Sequence, residues 1–74
     1  MLTFIRVHFL NGQTADGKVE EITDEQLLAA KVAMTELVRE DNWQCNIERR
    51  DGSWLLCPGR NVMAIEFVKV DEEE

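Results

Sequence analysis

The alternation of apolar and polar residues predicts strands at both ends of the chain. Residues 2–10 alternate with a period of two, and Asn11-Gly12 ends this segment with a turn signal. A short edge strand is predicted over residues 18–22, beside the first strand. Residues 62–70 are apolar on both faces, which is typical of a central strand covered on both sides. Pairing between the first and last strands is one arrangement that this pattern allows.

The start of a helix is the clearest local signal. Thr23 is a good N-cap, and Gln26 three residues later completes a capping box, so a helix is predicted from Asp24 to about Glu40. Its main apolar stripe is expected to face the sheet, while Leu28 and Val32 form a second strip with no obvious cover. The stripe consists of Leu27, Ala30, Met34, Leu37 and Val38.

A hairpin is predicted around Asp51-Gly52, a pair that favours a two-residue turn between residues 43–49 and 54–57. That register sets Arg49 opposite Trp54 and leaves Trp43 at the other end of the same face. It also sets Cys45 opposite Pro58, so that Cys45 and Cys57 would point to opposite faces. We therefore expect no disulfide between them within one chain.

Together these elements predict an α+β fold in which one helix packs on a mostly antiparallel sheet, in the order β(β)-α-β-β-β. A chain of 74 residues has room for one core, assigned to residues 1–70, with an acidic tail at residues 71–74. An apolar run of about 18 residues, as a membrane span requires, does not occur. With no secretory signal pattern either, a cytoplasmic protein with reduced thiols is expected.

The charge balance excludes one class of partner. The chain carries 15 acidic and 8 basic residues, a net charge of −7, whereas duplex nucleic acid requires a basic surface. Binding to duplex nucleic acid is therefore not expected. The remaining local cluster of cations, Arg49, Arg50 and Arg60, suits a small anion.

The residue types needed for catalysis are sparse. The one serine, Ser53, lies in the predicted hairpin turn, and the one histidine, His8, lies in the middle of a strand. The four glycines form no phosphate-binding motif, and two cysteines with one histidine do not complete a zinc site. Glu48 and Glu66 on separate strands give no basis for a paired-acid cleft. We expect no catalytic residue, metal or cofactor.

Two hypotheses of different classes remain. The first is an interaction protein that self-associates or occupies a protein partner, using the apolar residues Leu28, Val32, Met63, Ile65 and Phe67. The second is a binder of a small anionic, nucleotide-like ligand, because aromatic rings with cations hold bases and phosphates. Its residues would be Trp43, Arg49, Arg50, Trp54 and Arg60.

The order strand–helix–meander and the run from Pro58 to Phe67, PGRNVMAIEF, resemble the small accessory proteins encoded by bacteriophages and prophages. The resemblance implies a bacterial or infected-host cytosol and a binding role. Some such proteins inhibit host defence enzymes or sequester nucleotide signals. The resemblance assigns no binding residue in this chain.

Overall fold

The fold, given by a computed structural model that describes residues 1–70, is α+β with one helix and antiparallel sheets, as predicted. The acidic tail assigned to residues 71–74 lies outside the described residues. One turn of 3₁₀ helix, Gly59–Asn61, joins the last two strands. The elements are β1 Leu2–Phe9, β2 Thr14–Asp16, β3 Glu20–Glu21, α1 Asp24–Leu37, β4 Gln44–Glu48, β5 Trp54–Pro58 and β6 Val62–Lys69.

The centre of the main sheet is β1. It pairs with β6 on one edge and with β2 and then β3 on the other, so the first and last strands adopt the pairing that the sequence allowed but did not decide. The prediction that the last strand is central is wrong, because within residues 1–70 β6 pairs with β1 alone. A bulge leaves Met63 as an extra residue between the pairs His8–Ala64 and Phe9–Val62.

The hairpin β4–β5 folds over one face of β1, where the core lies. Val7 is 1% exposed and contacts Cys45 and Ile47 from β4. The backbone also joins the two sheets, since the Lys18 N–H donates to the Glu48 carbonyl at 2.9 Å. The face of β1 that carries Val7 is called the inner face below, and the opposite face is called the outer face.

The turn of this hairpin differs from the prediction. The Arg49 N–H donates to the Ser53 carbonyl at 2.7 Å, so the loop holds residues 50–52 instead of two residues. Asp51 explains the choice, because its Oδ1 accepts hydrogen bonds from the Ser53 N–H at 2.9 Å and the Ser53 hydroxyl at 2.7 Å. Gly52 completes the loop at a φ of 91°, which glycine adopts without strain.

The extra loop residue shifts the hairpin register by one. Trp54 lies opposite Glu48 instead of Arg49, and Cys45 lies opposite Cys57. The predicted Arg49–Trp54 pair is therefore absent. Trp43 and Trp54 lie on opposite faces of the hairpin, because successive side chains alternate.

The helix begins as predicted. The Gln26 N–H donates to the Thr23 hydroxyl at 3.1 Å, and the Thr23 N–H donates to the Gln26 side chain at 2.9 Å. The helix ends at Leu37, before the predicted residue 40, because the amides of Arg39 and Glu40 bond to carbonyls three residues back instead of four. Leu27 is buried and Ala30, Met34 and Leu37 are half-buried, whereas Val38 is exposed. This helix, the one within residues 1–70, is too short and too polar to cross a membrane.

Replacing Thr23 with alanine should destabilise the protein by about 1 kcal/mol, because the side-chain cap is lost. In a domain of this size that lowers the melting temperature by about 4–8 °C, measured by circular dichroism. Thr35→Ala is the matched control, since Thr35 is exposed on the same helix and its hydroxyl donates to the Lys31 carbonyl and to no other group among residues 1–70. Equal melting temperatures for the two variants would contradict the capping role.

Candidate interaction surfaces

The outward edge of β6 carries backbone groups that no strand of the described part of the chain pairs with. The Val70 N–H donates to the Leu2 carbonyl at 2.9 Å, and hydrogen-bonded pairs alternate along antiparallel strands. The bonds to β1 therefore come from even-numbered residues of β6. The N–H and carbonyl groups of Ile65 and Phe67 point away from β1, and no other strand within residues 1–70 pairs with them. This edge is a site where another extended chain can pair.

An apolar groove runs beside this edge, between α1 and β6. It has a volume of about 370 Å³. Two of its lining residues are well exposed, Val38 at 43% and Met63 at 63%. Its apolar lining comes from Met34, Val38, Trp43, Val62, Met63, Ala64, Ile65 and Phe67.

A strip on the helix surface adjoins the groove. Leu28 is 63% exposed and Val32 is 54% exposed, and these residues lie one turn apart. Lys31 and Thr35, their neighbours on the helix, line the groove. Of the five residues predicted to contact a partner, Leu28, Val32 and Met63 are thus exposed, while Ile65 and Phe67 are half-buried on the inner face.

The outer face of the sheet is closed by arginine side chains. Phe4 is only 6% exposed, because the guanidinium carbons of Arg6 and Arg50 lie 5.3 and 4.5 Å from its ring centroid. Beside it, the His8 Nε2 lies 2.8 Å from the Glu66 Oε1. Polar and charged side chains therefore cover Phe4 on the outer face, and Phe4 does not form an exposed apolar patch.

Both arginines that lie over Phe4 also approach the carboxylate of Asp16. Arg6 donates two hydrogen bonds to Asp16, at 2.7 and 3.1 Å, and Arg50 approaches the same carboxylate at 4.0 Å. The hydrogen bond from Arg6 holds the pKa of Asp16 below its usual value near 3.8, and the charges of Arg6 and Arg50 act in the same direction. The carboxylate is partly exposed, so its contribution to stability is screened by solvent.

Because the pKa of Asp16 is lowered in the folded protein, the protein is expected to lose stability in acid. The stabilisation from Asp16 is complete above the unfolded pKa near 3.8 and is lost as the pH falls through the lower folded value. Asp16→Asn should therefore melt at a lower temperature than the wild type at neutral pH, and the two melting temperatures should converge as the pH falls below 3.8 through the lower folded pKa of Asp16. Asp41→Asn, which removes an exposed carboxylate outside the ion pairs of residues 1–70, should follow the wild-type curve. A constant gap between wild type and Asp16→Asn would contradict this assignment.

The five residues predicted for an anionic ligand are dispersed. Trp43 and Arg60 line one surface cavity of about 440 Å³, together with the acidic Glu40 and Asp41. Trp54 lines a different cavity near the first half of α1. Arg49 lines a third cavity, which Cys57 also lines, and Arg50 lies over the ring of Phe4.

A scan against protein-family models, a search of curated proteins and a search of solved structures found no match to this chain. The described residues 1–70 hold no group of three or more histidine, cysteine, aspartate or glutamate side chains placed to bind a metal ion.

Sequence reasoning missed two features, the β6 edge and the opposed pair Cys45 and Cys57. The spacing Asp51-x-Ser53 was a signal for the longer loop that sets the cysteines opposite each other. The free edge had no local signal, because strand order depends on distant pairing.

Proposed function

We propose that this chain is a non-enzymatic interaction protein that forms a homodimer through antiparallel pairing of two β6 edges. The observation that supports this most is the row of backbone groups at Ile65 and Phe67 that no strand within residues 1–70 pairs with, beside an apolar groove. Such an edge pairs readily with another strand, and the second copy of the chain offers the same groups in a complementary direction.

Symmetry limits the register of this pairing. A two-fold axis perpendicular to the sheet places residues of equal parity opposite each other. A register centred on Glu66 would set two carboxylates face to face, which is destabilising. Centring on Ile65 instead sets Glu66 opposite Ala64 of the second copy and Phe67 opposite its Met63. We assign this register to the dimer.

Apolar burial adds to the backbone hydrogen bonds. Met63 and Val38 line the groove beside the edge, and in the monomer they are 63% and 43% exposed. Full burial of one such side chain contributes about 1.5–3 kcal/mol before the entropy of association is subtracted. Because a small domain is only marginally stable, this burial is a large contribution relative to its free energy of unfolding.

Light scattering over a concentration series tests the dimer. We expect the mass to rise from the monomer value of 8.6 kDa towards twice that value at high micromolar concentration. Amide hydrogen exchange locates the contact, because Ile65 and Phe67 should become protected only as the concentration rises. Glu66 and Val68, which bond to β1, should be protected at every concentration. A mass that stays at 8.6 kDa over a tenfold increase in concentration contradicts the proposal.

The proposed setting is the bacterial or infected-host cytosol, where the dimer binds a host or viral protein. The resemblance to phage accessory proteins supports this role, and the free thiols of Cys45 and Cys57 suit a reducing compartment. The alternative, a nucleotide-like ligand, draws less support because its candidate residues are dispersed. A thermal-shift screen against nucleotides distinguishes the two, since a ligand at 100 times its Kd adds about 2.7 kcal/mol.

A further inference from the structure

Cys45 and Cys57 lie directly opposite each other in the β4–β5 hairpin, with their side chains on the same face. The Arg49 N–H donates to the Ser53 carbonyl, and the Gly59 N–H donates to the Trp43 carbonyl. Because hydrogen-bonded and non-hydrogen-bonded pairs alternate along antiparallel strands, Cys45 and Cys57 form a hydrogen-bonded pair. The Cα atoms of such a pair are about 5.5 Å apart, inside the range that a disulfide spans.

The two thiols differ in their surroundings. Cys45 is 6% exposed and contacts Val7 and Ile47 in the core. Burial, together with the neighbouring Cys57 thiol, raises the pKa of Cys45 to about 11. Cys57 is half-buried and lines a surface cavity of about 370 Å³ with Arg49 in its wall. A small reagent that enters this cavity therefore meets Cys57 first, and Cys45 lies opposite Cys57 on the neighbouring strand.

We infer that Cys45 and Cys57 are a reversible thiol–disulfide pair, in which Cys57 reacts first with a low-molecular-weight disulfide and Cys45 resolves the product. The Cys57 thiolate attacks one sulfur of the small disulfide, whose S–S bond breaks to release one small thiol. Cys45 then loses its proton to solvent, and its thiolate attacks the Cys57 sulfur and displaces the second small thiol. Two protein thiols are oxidised to one disulfide, and one small disulfide is reduced to two thiols.

The disulfide would cross-link β4 and β5, the two strands of the hairpin. Cross-linking restricts the unfolded chain over residues 45–57, so the oxidised protein should be the more stable form. We expect its melting temperature to exceed that of the reduced protein by about 10 °C. The thiol pair lies on the hairpin and not on the β6 edge, so its test is independent of the dimer.

The experiment treats the full chain with oxidised glutathione at about pH 8. The product is unfolded, alkylated with iodoacetamide and weighed by mass spectrometry. The expected product is a monomer that has lost two hydrogens and takes up no alkyl group. Dithiothreitol should restore both thiols and return the melting temperature to that of the reduced protein.

Two variants assign the roles. Cys45→Ala should stop at a mixed disulfide between glutathione and Cys57. Cys57→Ser should resist glutathione while folded, because Cys45 is buried. The inference is overturned if the wild type keeps two alkylatable thiols, retains glutathione, or forms only a disulfide between two chains.

Discussion

Gly59→Ala is expected to lower the free energy of unfolding by about 3 kcal/mol, the upper end of the usual cost of overpacking a core. A Cβ atom at Gly59 would lie 2.2 Å from Cε2 and 2.3 Å from Nε1 of Trp43, closer than atoms approach. The indole cannot move freely, because it packs against the core and the Gly59 N–H donates to the Trp43 carbonyl at 2.7 Å. The melting temperature should fall by at least about 10 °C.

A double-mutant cycle isolates the steric cause. In a Trp43→Ala background the ring is gone, so adding Gly59→Ala should cost little further stability. Chemical denaturation of the four proteins measures the coupling between the two positions. If Gly59→Ala is equally costly in both backgrounds, the backbone at this position, and not the indole, is responsible.

Opposite charges at Ala64 should move the dimer dissociation constant in opposite directions. In the proposed register Ala64 lies opposite Glu66 of the second copy, in a pair without backbone bonds whose side chains are close. Ala64→Glu introduces two like-charge contacts by symmetry, each costing up to about 1 kcal/mol, and should weaken the dimer about tenfold. Ala64→Lys introduces two attractive contacts and should tighten it.

The two substitutions are matched controls for each other. Ala64 is exposed on the outer face, so both long side chains extend into solvent without entering the core. Sedimentation equilibrium measures the dissociation constants, and the gap between the variants should shrink at high salt. Melting curves at low concentration should agree for both monomers. Equal dissociation constants would exclude the register centred on Ile65.

Short-range features of this fold could be predicted from the residues alone. The capping box joins Thr23 to Gln26, three positions away, so both partners are visible in one segment of sequence. The strand β1 and the turn after it follow from a period of two and from Asn11-Gly12. The α+β class follows from these local elements, because each has one apolar face that it must bury.

The hairpin register was decided by a competition between two local turns. Asp51-Gly52 favours a two-residue loop, but the Asp51 carboxylate binds both the backbone and the hydroxyl of Ser53 and stabilises the longer one. A shift of one residue reverses the face of every side chain on the returning strand. This shift placed Trp54 and Trp43 on opposite faces of the hairpin, which weakens the ligand hypothesis. It also set Cys45 opposite Cys57, which brings the two thiols to the same face.

The order of the strands and the residues that cover each face of the sheet could be determined only from the tertiary structure. The pattern in β6 fits a central strand and also an edge strand, because apolar residues on both faces of a strand do not determine how many strands it pairs with. Arg50, from the hairpin loop, lies over Phe4 of β1, and neither position reveals the other in sequence. The free edge of β6 follows from which strands pair across the whole chain, and local apolar periodicity does not encode that choice.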